Sequence, residues 1–346
     1  MNIIVVGAGA IGCYVAGRLA AKGEHITLVG RARTVEPIAM SGLTSTDLQG
    51  FKAHIDADLA AKHLNLASSL KIAMQSLNTN QPIKDQTTVV LLCVKGGATQ
   101  AAAQEIADCC PPSTSIVSLQ NGVDNVARIK TAAPQMEAFA GMVPYNVVMK
   151  TASHVHRTSM GKIYMEHSEI TTELAVKFNA AGLLATTSND MRAVQWGKLL
   201  LNVNNPVNAL SDLPLREQLL SRDFRYVFAT LQLEALAAMR VAGIEPLQLA
   251  AVKAHILPKL LKLPNWLFTL LAKKMLRMDA SARSSMWDDV QHGRVTEVND
   301  LCGAVVRLAQ QVGTPAPCNT KMCELMASHT KGHRLTGAEL RQALKI

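Results

Sequence analysis

The strongest constraint on this chain lies in its first dozen residues. A short apolar run, Ile3-Ile4-Val5-Val6, has the composition of a buried parallel strand and empties into Gly7-Ala8-Gly9-Ala10-Ile11-Gly12. A helical pattern carrying Tyr14, Val15 and Leu19 follows at once. In a strand–turn–helix of this kind each glycine has a separate task. Gly7 permits the tight turn, Gly9 lets the backbone approach a pyrophosphate, and Gly12 lets helix and strand pack closely. The N–H groups and positive dipole end of the helix then face the phosphates. The spacing predicts a dinucleotide-binding Rossmann opening, with Gly7 through Gly12 as the phosphate-binding turn.

At 346 residues the chain exceeds one typical domain, so two are expected. Its formal charge of +9 is not concentrated in basic runs interleaved with aromatics, so it suits an anionic cofactor and substrate better than nucleic acid. The seven cysteines include no CxxC pair, which argues against a disulfide framework or a structural zinc site and for a reducing, cytoplasmic compartment. No uninterrupted apolar stretch is long enough to span a bilayer.

After the first helix, His25-Ile26-Thr27-Leu28-Val29 reads as a second strand ending in Gly30-Arg31-Ala32-Arg33, with no acid before Glu36. An Asp or Glu at this tip binds the ribose hydroxyls of NAD, whereas an Arg suits the 2′-phosphate of NADP. Arg31, with Arg33 beside it, predicts NADPH. Residues 40–85 mix short strands and a helix without a site. Thr88 to Val94 is another apolar strand, and Ser115 to Leu119 another; they end at Lys95-Gly96-Gly97 and Gln120-Asn121-Gly122. The carboxyl ends of parallel strands face the ligand crevice, which places Lys95 and Asn121 near it. Strand patterns at 138–148 and 158–165 extend the sheet, with antiparallel members. His154 and His156 lack an evident third metal ligand and read as a solvated hairpin; no metal site is expected.

From about residue 190 helical periodicity takes over, as in the amphipathic stretch 224–241. The expected organisation is a doubly wound Rossmann-type domain over 1–190 that binds NADP, then an all-α domain over 191–346 that carries the substrate and catalytic groups. Within the second half, Gln195-Trp196-Gly197-Lys198-Leu199-Leu200-Leu201-Asn202-Val203-Asn204-Asn205-Pro206 stands out. On one continuous helix, Lys198, Asn202 and Asn205 would fall within about 60° of one another. A lysine and two amides in one stripe among leucines fit a polar ligand better than a core, although Pro206 disfavours helical geometry at Asn205. The Leu- and Lys-rich stretch 251–278 reads as a helical hairpin packed within the protein or across a dimer rather than on a membrane. The acids Asp288, Asp289, Glu297 and Asp300 read from periodicity as a solvated helix face.

Taken together, Gly7-x-Gly9-x-x-Gly12, Arg31, Val94-Lys95, Gln120-Asn121-Gly122, Lys198-x-x-x-Asn202, Ser284-Ser285-Met286 and Thr296-Glu297 resemble, in this order, the ketopantoate reductase family. The resemblance covers most of the chain. It implies NADPH-dependent reduction of 2-dehydropantoate, with Lys198 as general acid and Glu297 beside the cofactor and the reacting oxygen. Lys95 and Asn121 would border the nicotinamide ribose and the substrate, Asn202 and Asn205 would hydrogen-bond the substrate, and Ser285 would take its carboxylate. The family pattern after the lysine is Asn-x-x-x-Asn-Pro, one residue longer than here, which leaves Asn205, Asn204 and Asn208 as candidates for the second amide. A related branched 2-oxo acid as substrate and an NADPH sensor without turnover are the alternatives. The partner expected is a small molecule, with a homodimer as an allowed assembly.

Overall fold

A computed structural model describes residues 1–80, 87–273 and 275–346, without the side chains of 78–80. The chain divides into two compact units, Met1–Met191 and Arg192–Ile346. The first is an α/β domain and the second is helical.

The strands of the first unit are β1 Asn2–Val6, β2 Ile26–Val29, β3 Leu43–Asp47, β4 Lys52–Ile55, β5 Leu64–Ala67, β6 Thr88–Leu92, β7 Ser115–Ser118, β8 Glu137–Met142, β9 Val147–Thr151, β10 His154–Arg157, β11 Ile163–Glu166 and β12 Ala185–Ser188. Its helices are α1 Ala10–Ala20, α2 Ala32–Ser41, α3 Ala57–His63, α4 Leu70–Asn80, α5 Thr99–Cys109, α6 Asn125–Ala132 and α7 Glu169–Ala180. Eight strands form one sheet in the order β12-β11-β8-β7-β6-β1-β2-β5. Its pairs are parallel except β8 with β11, which run antiparallel as expected.

Alternation along β1 explains the double winding. Ile3 and Val5 join a core with Tyr14 and Leu19 of α1 and Phe178 of α7. Ile4 and Val6 join the opposite core with Met74, Ile106 and Ile129 of α4, α5 and α6. Successive side chains of a strand point to opposite faces, so a strand apolar at every position needs helices on both sides.

The extension of the sheet beyond β8 differs in one respect from the expected arrangement. β9 does not join it: it belongs to a separate sheet in the order β4-β3-β10-β9. Helix α1 lies close on this second sheet, where a Cβ on Gly17 would run into the Ser45 hydroxyl and sit 3.3 Å from Leu43 Cδ2. A buried charge cluster fixes the contact. Asp47 Oδ2 accepts from Arg18 at 3.0 Å and from Arg157 at 2.9 Å, while its Oδ1 accepts from the amides of Gln49 and Phe51. His154 and His156 line the same inner strand and both meet the Thr46 hydroxyl, at 2.9 and 2.8 Å. They lie on the inner strand of the β9–β10 hairpin and are half-buried rather than solvated.

The helical unit contains α8 Met191–Asn202, α9 Asn205–Ser211, α10 Leu215–Leu220, α11 Arg222–Val241, α12 Leu257–Leu261, α13 Asn265–Leu271, α14 Ser285–Gln291, α15 Val298–Val312, α16 Pro317–Ser328 and α17 Gly337–Leu344. The long amphipathic α11 is its axis and packs against α12, α15, α16 and α17. Glu234 on α11 caps α16 by accepting the amides of Cys318 and Asn319 at 2.8 and 2.9 Å. A carboxylate there satisfies orphan N–H groups and the positive end of the helix dipole.

Candidate active site

In the first unit the register aligns the ends of four neighbouring parallel strands. Val6 pairs with Val29 and Leu92, and Leu92 with Ser118. The turns that follow, at Gly7, Gly30, Cys93 and Leu119, thus share one edge of the sheet. Gly7 adopts φ +112°, and a Cβ there would lie 2.8 Å from the backbone of Cys93 and Val94. A Cβ on Gly12 would collide with the Gly7 carbonyl. A Cβ on Gly9, by contrast, would meet nothing within 4 Å. The turn is therefore closed on its protein side and open at Gly9. The first turn of α1 has neither an acidic residue nor a side-chain cap, so its amides remain available to an anion. This cradle fits a dinucleotide pyrophosphate. Arg31, the residue preceding α2, is exposed at the tip of β2.

Lys95 and Asn121 follow β6 and β7, and a buried polar network ties their loops together. Gln120 Nε2 donates to the Val94 carbonyl at 2.9 Å and to Thr99 Oγ1 at 2.7 Å. Thr99 Oγ1 lies 2.8 Å from the Gly96 carbonyl and 3.1 Å from Asn125 Oδ1, and Asn125 donates to the Asn121 carbonyl at 2.7 Å. Ser118 completes the set by donating to Gln120 Oε1. Buried polar groups left unpaired are costly, so such a network favours one arrangement of both loops. Sequence reading picked out Lys95 and Asn121 at the tips of these loops and missed Thr99 and Asn125, which lie in ordinary helical pattern.

In the helical unit, Lys198 and Asn202 lie one turn apart on α8. Desolvation pulls the Lys198 ammonium from 10.5 down to about 8. Two contacts hold α8 in place. Gln232 of α11 donates to the Leu200 carbonyl at 2.8 Å, and the Leu247 amide to the Ala193 carbonyl at 2.9 Å. The Leu247 backbone passes so close to Gly197 that a Cβ there would strike its carbonyl.

The single-face arrangement of Lys198, Asn202 and Asn205 needs correction. α8 stops at Asn202, a turn intervenes, and α9 begins at Asn205 with Pro206 in its first turn. Proline has no N–H to continue the α8 ladder and instead starts a new helix. The structure also separates the candidate amides. Asn204 exchanges hydrogen bonds with Gln218, and Asn208 donates to Gln218 Oε1 and to the Leu213 carbonyl. Asn208 Oδ1 in turn accepts the Ser284 amide at 2.8 Å. Both side chains are consumed by the fold, whereas Asn205 is half-exposed and outside this knot.

Ser284 bonds the Asn205 carbonyl at 3.2 Å and caps α14 through the Trp287 amide at 3.1 Å. Ser285, by contrast, is exposed at the start of α14. The two serines therefore divide into an inner brace and an outer hydroxyl. Asp289, Glu297 and Asp300 are buried, with 1%, 9% and 8% exposure, which overturns the solvated-face reading for these three, whereas the Asp288 side chain is 48% exposed. Glu297 and Asp300 stand at the start of α15, a placement that periodicity does not register. Among the described residues no group of three or more His, Cys, Asp or Glu side chains is arranged to hold a metal.

The sequence matches the ketopantoate reductase PanE/ApbA family over residues 3–169 and that family's C-terminal domain over residues 190–330. The chain belongs to the ketopantoate reductase family. A 2-dehydropantoate 2-reductase of Pyrococcus horikoshii is 26% identical over 325 residues, 92% of this chain and 94% of that one. A ketopantoate reductase family structure from Ralstonia eutropha superposes with TM-score 0.75 at 27% identity, covering 94% and 97% of the two chains. D-mandelate dehydrogenase bound to NADH and anilino(oxo)acetate shares the fold, with TM-score 0.74 at 18% identity over the full length of both chains. Membership in the ketopantoate reductase family makes this chain an oxidoreductase with an α/β nucleotide-binding half and a helical half.

Proposed function

We propose that the protein catalyses NADPH-dependent reduction of 2-dehydropantoate to (R)-pantoate, with the 1–190 domain binding NADPH and the 191–346 domain carrying substrate and acid. The observation that carries this reading is the desolvated Lys198, lowered to about 8, with Asn202 one turn further on, in a chain of this family. The glycine turn, from Gly7 through Ala8, Gly9, Ala10 and Ile11 to Gly12, and the uncapped start of α1 would hold the pyrophosphate. Arg31 would pair with the 2′-phosphate, and Lys95 and Asn121 would border the nicotinamide ribose. When bound, the reduced nicotinamide supplies the hydride.

The chain's own groups account for the rest. As a 2-oxo group is reduced at carbon, negative charge builds on its oxygen. A desolvated ammonium stabilises that charge more strongly than it would in water and donates its proton to the same oxygen. Lys198 is left neutral and takes a proton from solvent before the next turnover. A lysine lowered to about 8 is still mostly protonated at neutral pH and gives up its proton more readily than an ordinary one. Asn202 and Asn205 would fix the substrate's polar groups, Ser285 its carboxylate, and Glu297 the network around Lys198.

The test is steady-state consumption of NADPH with a panel of 2-oxo acids. The proposal expects 2-dehydropantoate to give the highest kcat/KM and NADPH to be preferred over NADH. A higher kcat/KM for another branched 2-oxo acid would replace the substrate, and NADPH binding without turnover on any acid would replace the activity.

A further inference from the structure

The helical unit carries a surface that the reductase reading does not use. From Pro246 to Met278 the sequence contains no Asp or Glu, while Lys253, Lys259, Lys262, Lys273 and Arg277 fall within it. One side of this segment packs within the protein. On the inner side Leu257, Leu261, Phe268 and Ala272 are buried. On the outer side Trp266, Leu270 and Leu271 are 71%, 55% and 59% exposed. Trp266 and Leu270 are one helical turn apart, so they share a stripe of α13, and Lys273 follows just beyond the end of that helix.

This face is presented rigidly. The buried Arg225 of α11 donates to the carbonyls of Leu261 and Leu263 at 2.9 and 2.7 Å and to Asn265 Oδ1 at 3.0 Å. Its guanidinium also stacks on the Phe268 ring at 4.1 Å. One side chain therefore pins the α12–α13 corner and holds the apolar stripe outward. Lys253, Lys259, Lys273 and Arg277 are exposed along the same segment.

We propose that this corner docks the protein on an anionic lipid surface. An exposed tryptophan with two leucines, in a segment that carries cations and no acids, matches an interface whose interior is apolar and whose headgroups are negative. A second copy of the chain fits less well, because a two-fold contact sets each cationic segment against itself. Among the described residues no helix is long and apolar enough to cross a membrane, so the attachment is peripheral. It does not depend on the reductase reading.

The test is co-sedimentation of the full-length protein with vesicles of phosphatidylcholine alone or with about one-third phosphatidylglycerol. Binding is expected to the anionic vesicles only, to fall steeply with salt, and to shift Trp266 emission to the blue, a shift lost in Trp266→Phe. Each of Lys259→Gln and Lys273→Gln should weaken binding about fivefold, and Leu270→Asp should abolish it while circular dichroism and melting stay as in the wild type. Equal binding to neutral vesicles, or none to anionic ones, would overturn the proposal. So would a dimer in sedimentation equilibrium that Leu270→Asp converts to monomer, since a second copy would then cover the stripe.

Discussion

Replacing Lys198 by methionine should make the folded protein more stable while removing its acid. Methionine keeps the length and apolar stem but needs no hydration. Because desolvation lowers Lys198 from 10.5 to about 8, the folded state carries a cost that the unfolded state does not. The sign follows from linkage. Below about 8 the lysine is protonated in both states and the cost is present in full; above 10.5 it is neutral in both and the cost is gone. The fall corresponds to at most about 3–4 kcal/mol, and the partial exposure of the side chain together with the contacts its ammonium gives up reduces this to about 1–2 kcal/mol. For a chain of 346 residues that is a rise of about 1.5–3 °C in melting temperature. Calorimetry at about pH 7 and about pH 10 measures it, and the advantage of Lys198→Met should shrink at the higher pH. A variant that melts at or below the wild type at neutral pH, or whose advantage is the same at both, would refute the desolvation argument.

Other perturbations test the parts around that helix. Arg31→Ala should raise KM for NADPH by about tenfold while leaving KM for NADH nearly unchanged, because an exposed arginine–phosphate contact is worth about 1–2 kcal/mol; equal effects on both would remove the 2′-phosphate role. Gln120→Leu breaks the network joining the loops that bear Lys95 and Asn121. It should cost about 1–3 kcal/mol of stability and raise KM for NADPH with little change in kcat, as dinucleotide titration and steady-state kinetics would show. Burial pushes the Asp47 carboxyl up, but the amides of Phe51 and Gln49 and the guanidinium groups of Arg157 and Arg18 outweigh it and hold it below the usual range. Its contribution is therefore present at neutral pH and lost as pH falls through its folded value. Asp47→Asn should cost about 3–5 kcal/mol in denaturant unfolding, because two buried arginines lose their counter-charge.

The parallel strands, the glycine turn and the change to helices near residue 190 were legible because each follows from local chemistry. An all-apolar strand must be covered on both faces, and only glycine fits a turn as close as Gly7 and Gly12. The second sheet was not legible, since β3 and β10 become neighbours only in the fold and the Arg18–Asp47–Arg157 cluster that fixes them joins residues far apart in the first unit. The same limit applied to the run of asparagines before Pro206. Periodicity could group Lys198 with Asn202, but only the position of Gln218 separates Asn204 and Asn208 from Asn205. Burial of Glu297 and Asp300 escaped for a related reason: helix ends are set by tertiary packing, and a pattern of charges does not reveal which end points inward.

The central claim is that Lys198 delivers the proton to the reduced oxygen, and the pH profile of kcat for NADPH-dependent reduction of 2-dehydropantoate tests it most directly. Wild type should hold its activity below about 8 and lose it as pH rises through that value, since the acid must be protonated. Lys198→Ala should lower kcat by about 100-fold or more and lose that limb altogether. A Lys198→Ala enzyme with near wild-type kcat, or one that keeps the same limb, would contradict the assignment.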